Sequence, residues 1–194
     1  MKLPYALLLL ALPVCAGAAP IFIEYSGKIT KVAGSEPPPY SVGDPIHGSL
    51  MYDTTLVPPD LAPELPGFDL YRVQGDAPPV DFLTGFNPPS SRGADSIDIE
   101  NDAFDPEIGL YDFFQFLDHE PFTVDGLSKG IAVRGVVDAD VMAHGGLLQS
   151  FEATRADGLS RMYSYMEWIK DTVTTGYAEF KLSWISVKPG MCRR

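Results

Sequence analysis

Cysteine is nearly absent from this chain of 194 residues, which holds only Cys15 and Cys192. Cys15 lies in an apolar N-terminal leader, so Cys192 has no partner left in its own chain and an intramolecular disulfide is excluded. Cys192 stands two residues from the C-terminus, where a frayed thiol is the simple reading and a bond between two chains the alternative. Without disulfides a domain must rely on its apolar core, and 45% hydrophobic residues can supply one. Basic residues are scarce as well: 14 Lys and Arg against 26 Asp and Glu leave a net charge of −12. Such a surface repels phosphate backbones and anionic lipid, which removes nucleic acid and membrane surfaces as expected partners. Divalent cations, basic or neutral partners and uncharged glycans remain.

Familiar catalytic spacings are missing too. The three histidines, His47, His119 and His144, fall in no H-E-x-x-H or paired-cysteine pattern, and no G-x-S-x-G elbow, G-x-G-x-x-G turn or P-loop occurs. A nucleophile at Cys192 would lack an oriented base. No catalytic residue is therefore named. No internal repeat or low-complexity linker divides the chain, so one domain is expected.

What is present begins with "MKLPYALLLLALPVCAGAAP": Lys2, an apolar run centred on Leu7 to Leu12, then small residues. This has the form of a secretory signal peptide, with Ala16 and Ala18 placed for cleavage before Ala19, and the run is shorter than the ~20 residues of a membrane span. The expected organisation is a signal peptide over 1–18, a β domain over 19–188 and a short tail over 189–194. A secreted or periplasmic protein follows, its charge one unit more negative once Lys2 is lost.

Eighteen Gly and eighteen Pro punctuate short segments rich in Val, Ile, Tyr and Phe, the spacing of an all-β domain. In "IFIEYSGKITKVA", Ile21, Ile23, Tyr25 and Ile29 point one way, opposite Glu24, Ser26, Lys28 and Thr30. "IHGSLMYDT" places Leu50 and Tyr52 inward. Four prolines in 56–67 exclude a central strand there, "FDLYRVQG" resumes β character, and a short edge strand is expected around Val80 to Leu83. Ile97 and Ile99 share a face opposite Asp98 and Glu100, while "GLYDFFQFLD" is apolar on both sides, as for a strand covered twice. Ile131, Val133, Val137 and Val141 face in, opposite Arg134, Asp138 and Asp140. "RMYSYMEWIKD" and "GYAEFKLSWISV" close the domain, with Ala178, Phe180, Leu182 and Trp184 read as one side. Residues 145–162 suit a short helix and a strand about equally. The expected architecture is eight to ten strands in a two-sheet antiparallel β-sandwich or jelly roll.

Two constellations stand out. In "NDAFDPEIGLYD", Asn101, Asp102, Asp105, Glu107 and Asp112 surround a turn set by Pro106 and Gly109. Calcium takes six to eight oxygens, so a calcium site is one reading; the spacing does not match an EF-hand, and a solvated turn with Asx bonds is the other. Trp168 and Trp184, with Tyr163, Tyr165 and Tyr177, gather in the C-terminal strands. They read either as core or as a platform for sugar rings, with Tyr163 and Tyr165 the better ligand-binding candidates because Trp184 has core neighbours.

The order of segments, "YSGKITKV", then "YSVGDPIHGSLMYDT", then "SIDIENDAF" leading to "GLYDFFQF", and last "FKLSWISV", resembles a group of secreted bacterial proteins that usually carry a PEP-CTERM sorting tail. The shared pattern G-D-x-[FIV]-x-G-x-[FYL]-x-Y-D falls on Gly43 to Asp53. The resemblance implies a β-sandwich exoprotein associated with exopolysaccharide or biofilm matrix and supplies no catalytic residues. The chain departs from the pattern at "ISVKPGMCRR", which has no Val-Pro-Glu-Pro and no apolar helix, so release to the periplasm or medium is expected. The leading functional expectation is a secreted, non-enzymatic protein of the envelope or extracellular matrix that binds extracellular polysaccharide. The alternative is a carbohydrate-active hydrolase or lyase on a jelly-roll scaffold.

Overall fold

The computed structural model describes residues 20–36, 39–53, 60, 64, 68–72, 96–119, 126–142 and 150–189. Among them are nine strands: β1 (Pro20–Gly34), β2 (Pro45–Asp53), β3 (Phe68–Arg72), β4 (Ser96–Asp105), β5 (Gly109–His119), β6 (Leu127–Asp138), β7 (Phe151–Thr154), β8 (Ser164–Lys170) and β9 (Val173–Pro189). The chain is all-β, as its alternation requires. Every pairing is antiparallel, in the order β2-β1-β9-β8-β6-β5-β4-β3, with β7 pairing β9 off this path. The ladders thus form one open sheet, and the division into two facing sheets expected of a sandwich is not among them. Two long strands explain the continuity. The 17 residues of β9 pair with β1 along one edge and with both β8 and β7 along the other, joining halves that shorter strands would leave apart.

The inward face follows the alternation. Ile21, Ile23, Tyr25 and Ile29 of β1, Leu50 of β2, Ile97 and Ile99 of β4, Phe114 and Phe116 of β5, and Ile131, Val133 and Val137 of β6 are all buried in one core cluster. Each such side chain contributes about 1.5 to 3 kcal/mol on burial, far more than the exposed ion pairs of this surface. Phe114 meets Phe151 of β7 with ring centroids 5.4 Å apart, so β5 and β7 share the core without being ladder neighbours. On the other face of β5, Phe113, Gln115 and Leu117 are half-buried, which fits the expectation of a strand covered on two sides.

Where ladders break, hydroxyl side chains replace the missing backbone bonds. β9 carries an extra residue, Ser183, opposite Ser26 and Gly27, and its Oγ donates to the carbonyl of Ser26 at 3.2 Å. Three residues on, the extra residue is Thr30 of β1, whose Oγ1 donates to the carbonyl of Glu179 at 3.3 Å. At the start of β8, the fully buried Ser164 accepts from the Arg134 N–H and donates to the Arg134 carbonyl, both at 3.0 Å. The first two are β-bulges in which the inserted residue bonds across the break; Ser164 instead extends the β6–β8 pairing by one step past its last ladder pair, Ala132 and Tyr165.

The segment that suited helix and strand equally is strand over Phe151–Thr154 and then two 3-10 turns, Arg155–Asp157 and Leu159–Arg161. Thr154 and Asp157 cap the first turn reciprocally and Gly158 ends it at φ 83°, which leaves no length for an α-helix. The expected leader over 1–18, the edge strand around Val80 to Leu83, Tyr52's side chain, His144 and Cys192 lie outside the described residues; so does the tail from 190, whereas Pro189 closes β9.

Candidate functional site

The bulge at Ser183 reverses the side-chain parity of β9. Before it Ala178, Phe180 and Leu182 face the core; after it Ile185 and Val187 do, and Trp184, Ser186 and Lys188 turn outward. The expectation that Trp184 shares a side with Leu182 is thus overturned: the period-two pattern assumes an unbroken ladder, and one inserted residue shifts it by one. Trp184 becomes the centre of an outward-facing site.

Register then assembles the site across four strands. Ser49 of β2, Glu24 of β1, Ser186 of β9 and Glu152 of β7 form one cross-strand row, and His47, Ser26, Trp184 and Thr154 form the next. Glu24, Ser26, His47, Ser49 and Trp184, with the backbone at Tyr25 and Gly48, line an open depression of about 540 Å3. Its floor is fixed in orientation: the indole Nε1–H of Trp184 donates to Oε1 of Glu152 at 2.7 Å, and Lys188 stands 3.5 Å from the other oxygen of that carboxylate. The indole hydrogen bond, followed by the Lys188 charge, holds the Glu152 carboxyl below the usual glutamate range. Beside it the Ser186 hydroxyl, 1% exposed, has no hydrogen-bond partner among the described residues. The arrangement offers a half-buried aromatic face with acceptors and donors around it, the composition of a small polar-ligand site.

The tyrosines singled out from the sequence lie further along the same outer face. Tyr165 stacks on Tyr177 with centroids 5.9 Å apart, Arg134 lies 5.0 Å from the Tyr165 ring, and Lys31 lies 5.6 Å from the Tyr177 ring. Tyr165 and Tyr177 are thus half-buried and packed against one another, each with a cation over its ring. Desolvation by burial, then the nearby Glu167 and Glu179 carboxylates respectively, raises both phenol pKa values. Tyr163 is 43% exposed, with Lys181 4.6 Å from its ring. Trp168 instead packs against the core beside Tyr40, centroids 6.3 Å apart.

The acidic loop is divided by the pleat. Asp112 points into the protein at 0% exposure, where Oδ1 accepts from the Asp102 N–H at 3.0 Å and Oδ2 from the Met142 N–H at 2.8 Å. Asp105 Oδ1 accepts from the amides of Glu107 and Ile108 in an Asx turn, and Asp102, at φ 56°, takes the Asn101 amide on its carboxylate. Asp102, Asp105 and Asp112 are thus taken up by separate backbone and side-chain partners and Glu107 is exposed, whereas the Asn101 side-chain oxygen is buried without a hydrogen-bond partner among the described residues. Among the described residues no group of three or more His, Cys, Asp or Glu is placed to hold a metal ion. On the outward side of β4, Gln115 donates to Asp98 at 2.7 Å, and Glu100 is pushed above the usual range by burial and by the Asp98 charge.

His47 is the one sequence-stated histidine whose side chain joins the site; that of His119, at the end of β5, is not among those described. No helix among the described residues is long and apolar enough to cross a membrane. No family model, curated protein or solved structure matches this chain. The site is therefore read from its own chemistry. Sequence alternation missed Trp184 and Glu152, and the one local hint was the hydroxyl-rich step "LSWIS", whose serines replace apolar residues near the end of an apolar strand.

Proposed function

We propose that this protein is a secreted, non-enzymatic glycan-binding module of the cell envelope or extracellular matrix, with the Trp184 depression as its binding site. The observation that carries this reading is the indole of Trp184, locked by Glu152 at 2.7 Å and surrounded by Glu24, Ser26, His47 and Ser49. A pyranose ring presents C–H groups on its face and hydroxyls at its rim. An oriented indole meets the first, and carboxylate, imidazole and serine groups meet the second. The signal-peptide form of residues 1–18 and the resemblance to PEP-CTERM-type exoproteins support export and a polysaccharide setting. The test is a glycan array on purified protein, scored in parallel for release of reducing ends. Retention that Trp184→Ala abolishes, without release, is the expected result; retention unaffected by that change sinks the site.

A hydrolase or lyase is the second reading. Glu24 and Glu152 flank Ser186 on neighbouring strands, two ladder spacings or about 9.5 Å apart in backbone terms. Glycosidases use two carboxyls on either side of the scissile bond, and this is the pair that the register sets on either side of Ser186. Release of reducing ends that is lost in both Glu24→Gln and Glu152→Gln would put this reading first.

A further inference from the structure

We propose that the Trp184 depression selects an amine-bearing sugar, a glucosamine-type unit of a cationic polysaccharide, over neutral or acidic sugars. The inference rests on the glycan-binding reading and adds its charge class. Glu24 is exposed, lines the depression, and has no hydrogen bond or ion pair among the described residues. In register it sits one cross-strand row from Trp184, since Glu24 faces Ser186 and Ser26 faces Trp184. An ammonium group seated there meets a carboxylate on one side and an indole face on the other, the two neutral-pH partners a cation seeks.

The neighbouring carboxylates and lysines argue the same way, with His47 the one titratable base that lines the depression. Glu152 adds a second carboxylate across Ser186, and its nearby cation Lys188 is drawn to it. Lys181, the next outward cation down β9, is held against Tyr163; Lys28 lies on the far side of the Trp184 row from Glu24 and does not line the depression. A uronate or sulfate in the depression would face Glu24 at close range and a net charge of −12 at long range. A neutral sugar leaves Glu24 without a charged partner. The Ser186 hydroxyl, 1% exposed between the two carboxylates, has no hydrogen-bond partner among the described residues and so adds no cation to the floor beneath them.

Titration calorimetry separates the possibilities. Glucosamine pentamer, its N-acetylated counterpart, oligogalacturonate and a lysine pentapeptide are each titrated into the purified protein at mildly acidic pH, where amines are protonated. The glucosamine pentamer is expected to bind about tenfold more tightly than the acetylated form, the sum of one exposed ion pair and one cation–π contact. Oligogalacturonate is expected not to bind. Glu24→Gln, at an exposed position that leaves the core intact, is expected to remove the preference, bringing the affinities of the two pentamers to within about twofold of each other. Equal binding of both pentamers, or an unchanged preference in Glu24→Gln, overturns the amine assignment and leaves the glycan reading standing. Equal binding of the lysine peptide overturns it in favour of general polycation attraction. Binding of no sugar at all overturns both readings.

Discussion

The Ser183 hydroxyl donates to the carbonyl of Ser26 at 3.2 Å, across the bulge that turns Trp184 away from the core. The next residue of β1, Gly27, is brought so close to β9 that a Cβ there would overlap the carbonyl oxygen of Lys181. Gly27→Ala is therefore expected to destabilise the fold by about 2 kcal/mol, as overpacking against backbone does. Urea denaturation measures this directly. A loss no larger than a few tenths of a kcal/mol would mean that the bulge relaxes freely and does not hold Trp184 in place.

Asp112 gives the largest expected effect of any single polar side chain. Its carboxylate serves the amides of Asp102 and Met142, which stand 10 and 30 residues away in sequence. Asp112→Ala leaves the buried Met142 N–H and the part-buried Asp102 N–H without partners and is expected to cost roughly 2 to 3 kcal/mol, with Asp112→Asn in between because one acceptor becomes a donor. Thermal or urea unfolding of the two variants tests the order as well as the size.

The same geometry bears on calcium. With Asp112 turned inward and Asp105 engaged by two amides, thermal midpoints in EDTA and in millimolar calcium are expected to coincide. A midpoint that rises with calcium would reinstate the loop formed by Asn101, Asp102, Asp105, Glu107 and Asp112 as a metal site.

The Trp184–Glu152 lock has a defined pH sense. Because the folded-state pKa of Glu152 is depressed, chiefly by the indole hydrogen bond, its contribution is present above the unfolded glutamate value and is lost as pH falls through the lower folded value. Fluorescence of Trp184 in a Trp168→Phe background is expected to titrate below the ordinary glutamate range. Glu152→Gln should flatten that transition. Glu100 has the opposite sign: burial and Asp98 raise its pKa, so its favourable contribution is present below the unfolded value and lost as pH rises through the folded one. Glu100→Gln is accordingly expected to raise the midpoint at neutral pH, with the gain shrinking in acid.

The β8–β9 hairpin turns through Asp171 and Thr172, between the paired Lys170 and Val173, with φ of 49° and 68°. Both central residues are left-handed, the geometry of a type I′ turn, and a β-branched residue is poorly suited to it. Thr172→Gly is expected to stabilise by about 1 kcal/mol, the left-handed penalty less the added freedom of the unfolded chain. A destabilised variant would show that the threonine side chain has a compensating contact.

Much of this was legible in the sequence, because alternation reports which residues share a face whenever a ladder is unbroken. Ile21, Ile23, Tyr25, Ile97, Ile99, Ile131 and Val133 read inward from the sequence and are buried. The same alternation placed Asp98 and Glu100 opposite them, although that side is not the wet one expected, since Asp98 is buried and Glu100 half-buried; the Pro and Gly spacing excluded long helices. Composition by itself settled the net charge and the scarcity of cysteine.

Three features were decided only by tertiary structure. Ser183 becomes an insertion because of the registers its strand must satisfy against β1, so Trp184 changes face although its local pattern is that of Leu182. Asp112 shares the face of Phe114 and Phe116 by period two, but it survives burial only because amides from β4 and from Met142 arrive at its oxygens. One open sheet forms because β9 is long enough to pair with β1, β8 and β7 together. Side-chain period is a local property of the backbone and can be read along the chain. Register, hydrogen-bond partnership and the joining of ladders depend on which strand lies alongside, and only folding brings those strands together.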